Sequence, residues 1–183
     1  MDLAKLSDPL TVDQIDFRIQ SINKGGYATI LAYKNARVDM ERLDEVVGPL
    51  NWQRRHLREN HNCVISIYNE ETGQWVEKED TGKESYTEAE KGLASDSFKR
   101  AGFNWGIGRE LYDYPLIQVK LNQNEFKILP SQGNSKERVV ATWELKLNEW
   151  LWYSEFTDNK ISFLAARDSE KVRFQWGKRK EKK

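Results

Sequence analysis

The chain has 183 residues, enough to bury one sizeable hydrophobic core, and its 29 Lys and Arg residues balance its 29 Asp and Glu residues. A net charge of zero gives no electrostatic reason to expect nucleic acid, so any basic site has to be local. The single cysteine, Cys63, excludes an internal disulfide framework and a zinc site built on several cysteines.

Targeting and membrane signals are missing from the sequence. The N-terminal run MDLAKLSDPLTVDQIDF has no basic stretch followed by an apolar one, which argues against a secretory signal. No stretch approaches the ~18 consecutive apolar residues that a membrane span requires. We therefore expect a reducing, cytoplasmic setting and no membrane partner.

The N-terminal portion predicts a helix, a strand and a second helix. An Asp-Pro pair at 8–9 is typical of a helix start, and apolar residues then recur with helical spacing at Val12, Ile15, Ile19 and Ile22. These signals predict a helix over residues 9–22. Alternating side chains predict a strand over residues 27–33, and a helical apolar stripe predicts a second helix over residues 35–47.

The middle of the chain predicts an antiparallel meander followed by a long helix. Strand-like runs cover residues 52–58, 62–68 and 74–79, and the loop before the third run is short and hydrophilic. A long helix is expected over about residues 86–105. The fold class is therefore α+β: an antiparallel sheet of three to five strands packed against a long helix, with a helix-strand-helix N-terminal portion.

The last third of the sequence is less regular. Residues 116–121 predict a strand, whereas the tryptophan-rich stretch 141–152 fits neither a two-residue nor a 3.6-residue period and leaves helix and strand open. From Lys171 onward the composition turns basic. We expect residues 1–170 to form one core domain and residues 171–183 a mobile tail, which either contacts DNA or partners, or only aids solubility.

Motifs for catalysis and cofactor binding fail when they are read in full. The Gly-Lys pair at 82–83 lacks the earlier glycine of a phosphate loop, since position 77 is Glu77. The Gly-Ile-Gly at 106–108 follows a helix, whereas a dinucleotide fingerprint precedes one. The two histidines, His56 and His61, have only the cysteine nearby and are interpreted as surface histidines. We predict no catalytic residue, no cofactor and no metal site.

Charge is distributed unevenly along the middle of the chain. Acidic residues gather between positions 70 and 90 over loops and both strand faces, which predicts a solvated rim and not a nuclease magnesium site. Within residues 91–109, in contrast, four basic residues meet one acidic residue. Lys99, Arg100 and Phe103 share one side of the predicted helix. A cation beside an aromatic ring suits the phosphates and bases of single-stranded DNA, whereas a solvated helix face is the alternative.

Two segments resemble a known family. The run KGLASDSFKRA at residues 91–101, with the Gly-Ile-Gly at 106–108, resembles the helix of Rad52-type and phage Sak-type annealing proteins, which carry a Lys-Arg-Ala there. The run RLDEVVGPLNW at residues 42–52 is similar to the helix, glycine corner and tryptophan that open the sheet of this family. Tyr33 stands where the family places an aromatic residue near its DNA groove. The resemblance covers about residues 8–112.

The resemblance implies a homo-oligomer, as a ring or a helical filament, that holds single-stranded DNA in a positive groove with the bases outward. Lys99 and Arg100 match basic residues that line this groove, and Tyr33 matches the aromatic residue. Phe103 stands where eukaryotic members have another arginine, and Arg37 lies one residue from a basic position of the family. The partners implied are a single-strand binding protein or an exonuclease. The small size fits a phage-encoded recombinase that acts in the host cytoplasm.

The function predicted on this basis is annealing of complementary strands in DNA recombination and repair without ATP. Arg54 and Arg55 are further candidates for neutralising phosphates. No catalytic residue is required, because base pairing supplies the free energy. Two other functions remain open: a double-stranded nucleic-acid-binding module, and a protein-interaction domain that uses the aromatic-rich segment 143–156 as its interface without binding DNA.

Overall fold

The structure is a computed structural model that describes residues 2–83, 89–131 and 137–179. The chain divides into two compact units, each made of two separate chain segments. The first unit comprises Met1–Gln14 and Lys34–Tyr112, and the second comprises Ile15–Tyr33 and Asp113–Lys183.

The expected α+β class is confirmed, because two α-helices and several small antiparallel sheets make up the described residues. In chain order the elements are β1 (Asp16–Ile22), β2 (Tyr27–Tyr33), α1 (Ala36–Val47), β3 (Trp52–Leu57), β4 (Asn62–Asn69), β5 (Gln74–Thr81), α2 (Ala89–Asn104), β6 (Ile117–Lys120), β7 (Phe126–Leu129), β8 (Arg138–Ala141), β9 (Leu151–Thr157), β10 (Lys160–Arg167) and β11 (Val172–Gly177). Short 3-10 helices cover Leu3–Ser7, Val12–Gln14, Arg109–Asp113 and Leu147–Glu149. Neither α-helix is long and apolar enough, over its described residues, to cross a membrane.

The first unit is built on the predicted meander. β3, β4 and β5 form an antiparallel sheet with β4 in the centre, and α2 packs against this sheet. Side chains from α1, β4 and α2 share one hydrophobic core, whose members include Leu43, Ile65, Ile67, Phe98 and Ala101. The predicted sheet against a long helix is therefore confirmed, with three strands. The predicted start of the helix at residues 86–88 lies outside the described residues.

Helix α1 follows the predicted bounds because its ends carry local signals. The side chain of Asn35 accepts a hydrogen bond from the backbone nitrogen of Arg37 at 2.9 Å, and Gly48 ends the helix at a positive φ of 86°. The buried face contains two charged residues, Asp39 and Arg42, which a hydropathy stripe does not predict. The guanidinium of Arg42 donates to backbone carbonyls of the N-terminal segment at 3.0 and 2.8 Å, which compensates for its burial.

The predicted first helix over residues 9–22 is wrong, and the N-terminal portion is strand-strand-helix. Residues Asp16–Ile22 form β1, which pairs antiparallel with β2. Ile19 lies opposite Ile30 and Ile22 lies opposite Ala28, with a β-bulge between them. The bulge adds one residue to the two-residue alternation, so Ile19 and Ile22 share a face at a spacing of three, as they would on a helix.

The second unit is mostly antiparallel sheet. β2 lies between β1 and β6, β10 lies between β9 and β11, and β7 pairs with β8. Its core includes Ile30 of β2, Ile117 of β6 and Leu164 of β10. The ambiguous stretch 141–152 contains the 3-10 helix Leu147–Glu149 and the start of β9.

The basic segment from Lys171 onward contains an ordered strand. Residues Val172–Gly177 form β11, which pairs with β10. The Arg173 guanidinium makes two hydrogen bonds to the Glu125 carboxylate, at 2.9 and 2.7 Å, and one to Asp168 at 2.7 Å. Residues 180–183 of the predicted tail lie outside the described residues.

Candidate nucleic-acid interface

The predicted site lies on the C-terminal half of α2. Phe98 and Ala101 are buried in the core of the first unit, so the other side of the helix carries Lys99, Arg100 and Phe103, which are all half-buried. The helical repeat thus brings these three predicted residues to one surface, as expected.

Arg100 is engaged in a local ion pair. Its Nε lies 3.2 Å from Oδ1 of Asp80 on β5, and the two side chains are 40% and 24% exposed. The Asn104 amide holds the same carboxylate at 3.4 Å and also donates to the Glu79 carbonyl at 2.9 Å. An exposed pair of this kind is screened by water and contributes little to stability. Asp80 therefore partly neutralises Arg100 without burying it.

Lys99 differs from Arg100, because no ion pair joins it to another residue in the described part of the chain. The charge of Lys99 nevertheless lowers the pKa of both Lys34 and Asp39. Its effect on each pKa is smaller than that of burial and smaller than that of the attraction between Lys34 and Asp39. The Lys99 ammonium therefore lies within electrostatic reach of a second, buried charge cluster beneath α2.

That cluster is an ion pair between Lys34 and Asp39, which the sequence interpretation did not single out. The Lys34 ammonium donates to Oδ1 of Asp39 and, at 2.8 Å, to the carbonyl of Ile107, and both side chains are fully buried. Burial lowers the pKa of Lys34 and raises the pKa of Asp39 to about 6, because each charged form loses its hydration. A glycine packs against the pair: a Cβ on Gly102 would lie 2.0 Å from Oδ1 of Asp39.

Phe103 is half-buried because it covers this ion pair. The Lys34 nitrogen lies 4.2 Å from the centre of the Phe103 ring, a cation–π contact inside the protein. The same ring contacts the ring of Tyr112, with 4.9 Å between the ring centres and 57° between their planes. Phe103 thus has a structural role that the sequence did not reveal.

The other predicted residues are spread over several elements. Arg54 lies on β3 with its guanidinium 4.9 Å from the Phe98 ring, which places it on the side of the sheet that faces α2. Arg55 points to the opposite side, where it pairs with Glu77 at 3.3 Å. The two arginines therefore cannot contact the same DNA backbone from one face.

Tyr33 is the last residue of β2, and Arg37 is the second residue of α1. Arg37 is exposed in the first turn of this helix. Tyr33 ends β2 in the second unit, and the Arg18 guanidinium lies 5.2 Å from the centre of its ring. Tyr33 is thus a half-buried aromatic beside a cation, but it belongs to a different unit from Lys99 and Arg100.

The comparisons with known proteins concern the part of the chain that carries this site. Residues 63–128 match the model of the Rad52/22 family double-strand break repair protein. This segment is similar to the domain of the Rad52/22 family. It includes Lys99, Arg100, Phe103 and Tyr112, and it confirms the resemblance stated from the sequence over residues 63–112.

A more specific relative is the single-stranded DNA-binding protein DdrA of Deinococcus radiodurans. It is 37% identical to this chain over 90 residues, which are 48% of this chain and 43% of DdrA. The matched region therefore spans less than half the length of that relative. No solved structure matches the chain significantly.

Proposed function

We propose that this chain binds single-stranded DNA and anneals complementary strands during DNA recombination and repair, without ATP and without a catalytic residue. The observation that carries the proposal is the position of the Lys99 side of α2 inside the Rad52/22 family domain. The relation to DdrA, which is named as a single-stranded DNA-binding protein, supports the same ligand.

In the proposed mechanism the protein is a scaffold for the DNA backbone. Lys99 neutralises a phosphate, and Arg100 contributes a second contact through the guanidinium nitrogens that Asp80 does not engage. Such contacts are independent of sequence and weaken steeply as salt concentration rises. The base edges remain exposed. When two protein-coated strands come together, the local concentration of complementary sequence is raised, and the strands pair more readily.

The remaining predicted residues are supported to different degrees as DNA contacts. Arg54 is on the α2 side of the sheet and can extend the cationic surface, whereas Arg55, paired with Glu77 on the opposite side, is a weaker candidate. Arg37 and Tyr33 stay predictions from the resemblance. Three further points also stay predictions. They are a homo-oligomer in the form of a ring or filament, a partner exonuclease or single-strand binding protein, and a phage origin with action in the host cytoplasm.

The test compares annealing of complementary oligonucleotides, without nucleotide or metal, by the parent protein and by Lys99→Ala/Arg100→Ala. We expect the double variant to anneal more slowly and the salt slope of its single-strand affinity to fall by about 0.7 for each phosphate that is no longer neutralised. Lys24→Ala is the matched control, because Lys24 is an exposed lysine of the second unit that pairs with Glu137. Equal annealing rates for the parent and the double variant would remove Lys99 and Arg100 as the site.

One observation favours a second candidate function, a protein interface without DNA. In the aromatic-rich segment 143–156, Trp143 is 77% exposed and Leu151 is 67% exposed, and exposed apolar side chains of this size mark a protein interface where they form a contiguous patch. Failure of the parent protein to bind any oligonucleotide at low salt would favour this candidate. Preferred binding of duplex over single strands would instead favour a double-stranded nucleic-acid module.

A further inference from the structure

Tyr112 is an exposed aromatic residue beside the proposed DNA-binding side of α2. It lies in the 3-10 helix Arg109–Asp113, the residue is 67% exposed, and its ring contacts the Phe103 ring. Phe103 is one helical turn after Lys99 on α2, so Lys99, Phe103 and Tyr112 follow one another along the surface of the first unit.

The 3-10 helix that carries Tyr112 is fixed on two sides. The Arg109 guanidinium donates to the carbonyls of Phe103 at 2.8 Å and Asn104 at 3.3 Å, at the C-terminal end of α2. The buried carboxylate of Glu110 accepts a hydrogen bond from the Leu10 backbone nitrogen at 2.6 Å. Tyr112 therefore projects from a backbone that is held in place, and less freedom is lost when a ligand binds it.

Phe103 and Tyr112 have different roles. The Phe103 ring packs on the buried Lys34 ammonium, 4.2 Å from its centre, and its contact with the Tyr112 ring positions Tyr112. Tyr112 is the member of the pair that is open to solvent. Arg109 is exposed three residues earlier, and side chains three apart lie on the same face of a 3-10 helix. Arg109 and the exposed Tyr112 ring therefore share one face of this 3-10 helix, with the Arg109 guanidinium held at the end of α2.

We infer that Tyr112 is a base-stacking residue that makes the site selective for unpaired nucleotides, with Lys99 and Arg109 holding the flanking phosphates. This inference rests on the proposed function and names what the site recognises. A ring face can stack on any base, whereas the base faces of a duplex are already covered by their neighbours. Phosphate contacts alone would not distinguish single strands from duplex in this way.

The experiment measures binding of a single-stranded oligonucleotide that contains 2-aminopurine, and of the same sequence as a duplex, by the full chain. We expect Tyr112→Ala to lower single-strand affinity about tenfold, in the range found for loss of one base–aromatic stack, with an unchanged salt slope and unchanged duplex affinity. Tyr112→Phe keeps the ring and should bind like the parent. The emission of 2-aminopurine, quenched by stacking in the parent complex, should be recovered in Tyr112→Ala.

Tyr27→Ala is the matched control, because Tyr27 is also an exposed tyrosine, 44% accessible, with the Lys120 ammonium 4.6 Å from the centre of its ring. If Tyr112→Ala binds single strands as tightly as the parent and as Tyr27→Ala, the stacking role is refuted, while a reduced salt slope for Lys99→Ala would still support the proposed function. If the parent binds no single-stranded DNA, the proposed function fails and the stacking role fails with it.

Discussion

The ammonium of Lys34 lies under the ring of Phe103, 4.2 Å from its centre, while the same nitrogen is hydrogen-bonded to the carboxylate of Asp39. Lys34 directly follows β2, Asp39 lies in the first turn of α1, and Phe103 lies near the end of α2. One buried charge thus joins the start of α1 to the C-terminal end of α2, where the proposed DNA-binding surface lies.

Removing Lys34 alone should destabilise the protein strongly. Lys34→Met leaves the Asp39 carboxylate buried without its counter-charge, and we expect the free energy of unfolding to fall by about 3–5 kcal/mol. Urea denaturation followed by tryptophan fluorescence measures this change. Lys34→Met/Asp39→Asn removes both charges and should recover most of the loss. A double variant no more stable than Lys34→Met would contradict the importance of the unpaired charge.

Gly102→Ala should destabilise α2, although alanine normally favours a helix by about 0.5–1 kcal/mol over glycine. The added Cβ would lie 2.0 Å from Oδ1 of Asp39 and 3.3 Å from the Lys34 nitrogen, so the ion pair has to move. We expect a loss of about 1–3 kcal/mol in the unfolding free energy, typical of overpacking. In an Asp39→Ala background, Gly102→Ala should lower the unfolding free energy much less than it does in the parent. If Gly102→Ala instead stabilised the parent, the Lys34–Asp39 ion pair would be able to move aside without loss of stability.

Asp80→Asn should strengthen binding of single-stranded DNA by a few fold. The change removes the negative charge that lies 3.2 Å from Nε of Arg100, so the guanidinium meets phosphate without competition. Fluorescence anisotropy at several salt concentrations measures the affinity and its salt slope. Glu77→Gln is the control, since it releases Arg55 on the other side of the sheet. An Asp80→Asn affinity at or below that of the parent would argue against a DNA contact by Arg100.

The second unit should lose stability in acid through Asp168. Hydrogen bonds from Arg173, above all other influences, lower the pKa of Asp168 from 3.8 to about 2. Because the folded pKa is depressed, this stabilisation is present above pH ~4 and is lost as the pH falls through the folded value. Unfolding free energies between pH 5 and 2 should fall less steeply in Asp168→Asn than in the parent. Asp158→Asn, an exposed change in the β9–β10 turn, should keep the parental slope.

Elements with signals inside a few residues could be predicted from the sequence. Asn35 and Gly48 fix the ends of α1, and three strand-like runs with a short hydrophilic loop before the third predict the meander, because caps and turns are local interactions. β1 could not be predicted, since a bulge opposite β2 gives Ile19 and Ile22 the spacing of a helix. The bulge depends on pairing with another strand, which one segment does not reveal.

The candidate site was predictable in its position but not in its electrostatics. Lys99 and Arg100 could be found from a local charge excess and from the resemblance. The pairing of Arg100 with Asp80, twenty residues earlier, depends on how β5 packs against α2. The cover that Phe103 forms over Lys34 depends on contacts across about seventy residues of chain. The same limitation applies to Arg173, which lies in a basic run but pairs with Glu125 and Asp168.

The interleaved path of the chain has a practical consequence for fragment design. Because each unit consists of two segments, no single cut in the backbone can detach one unit as a continuous polypeptide. A fragment that stops at Tyr112 would leave the β2 edge unpaired from Tyr27 to Ile30, since its partner β6 comes later in the chain. Such an open edge is prone to aggregation, so shortened versions meant for crystallisation should keep β6.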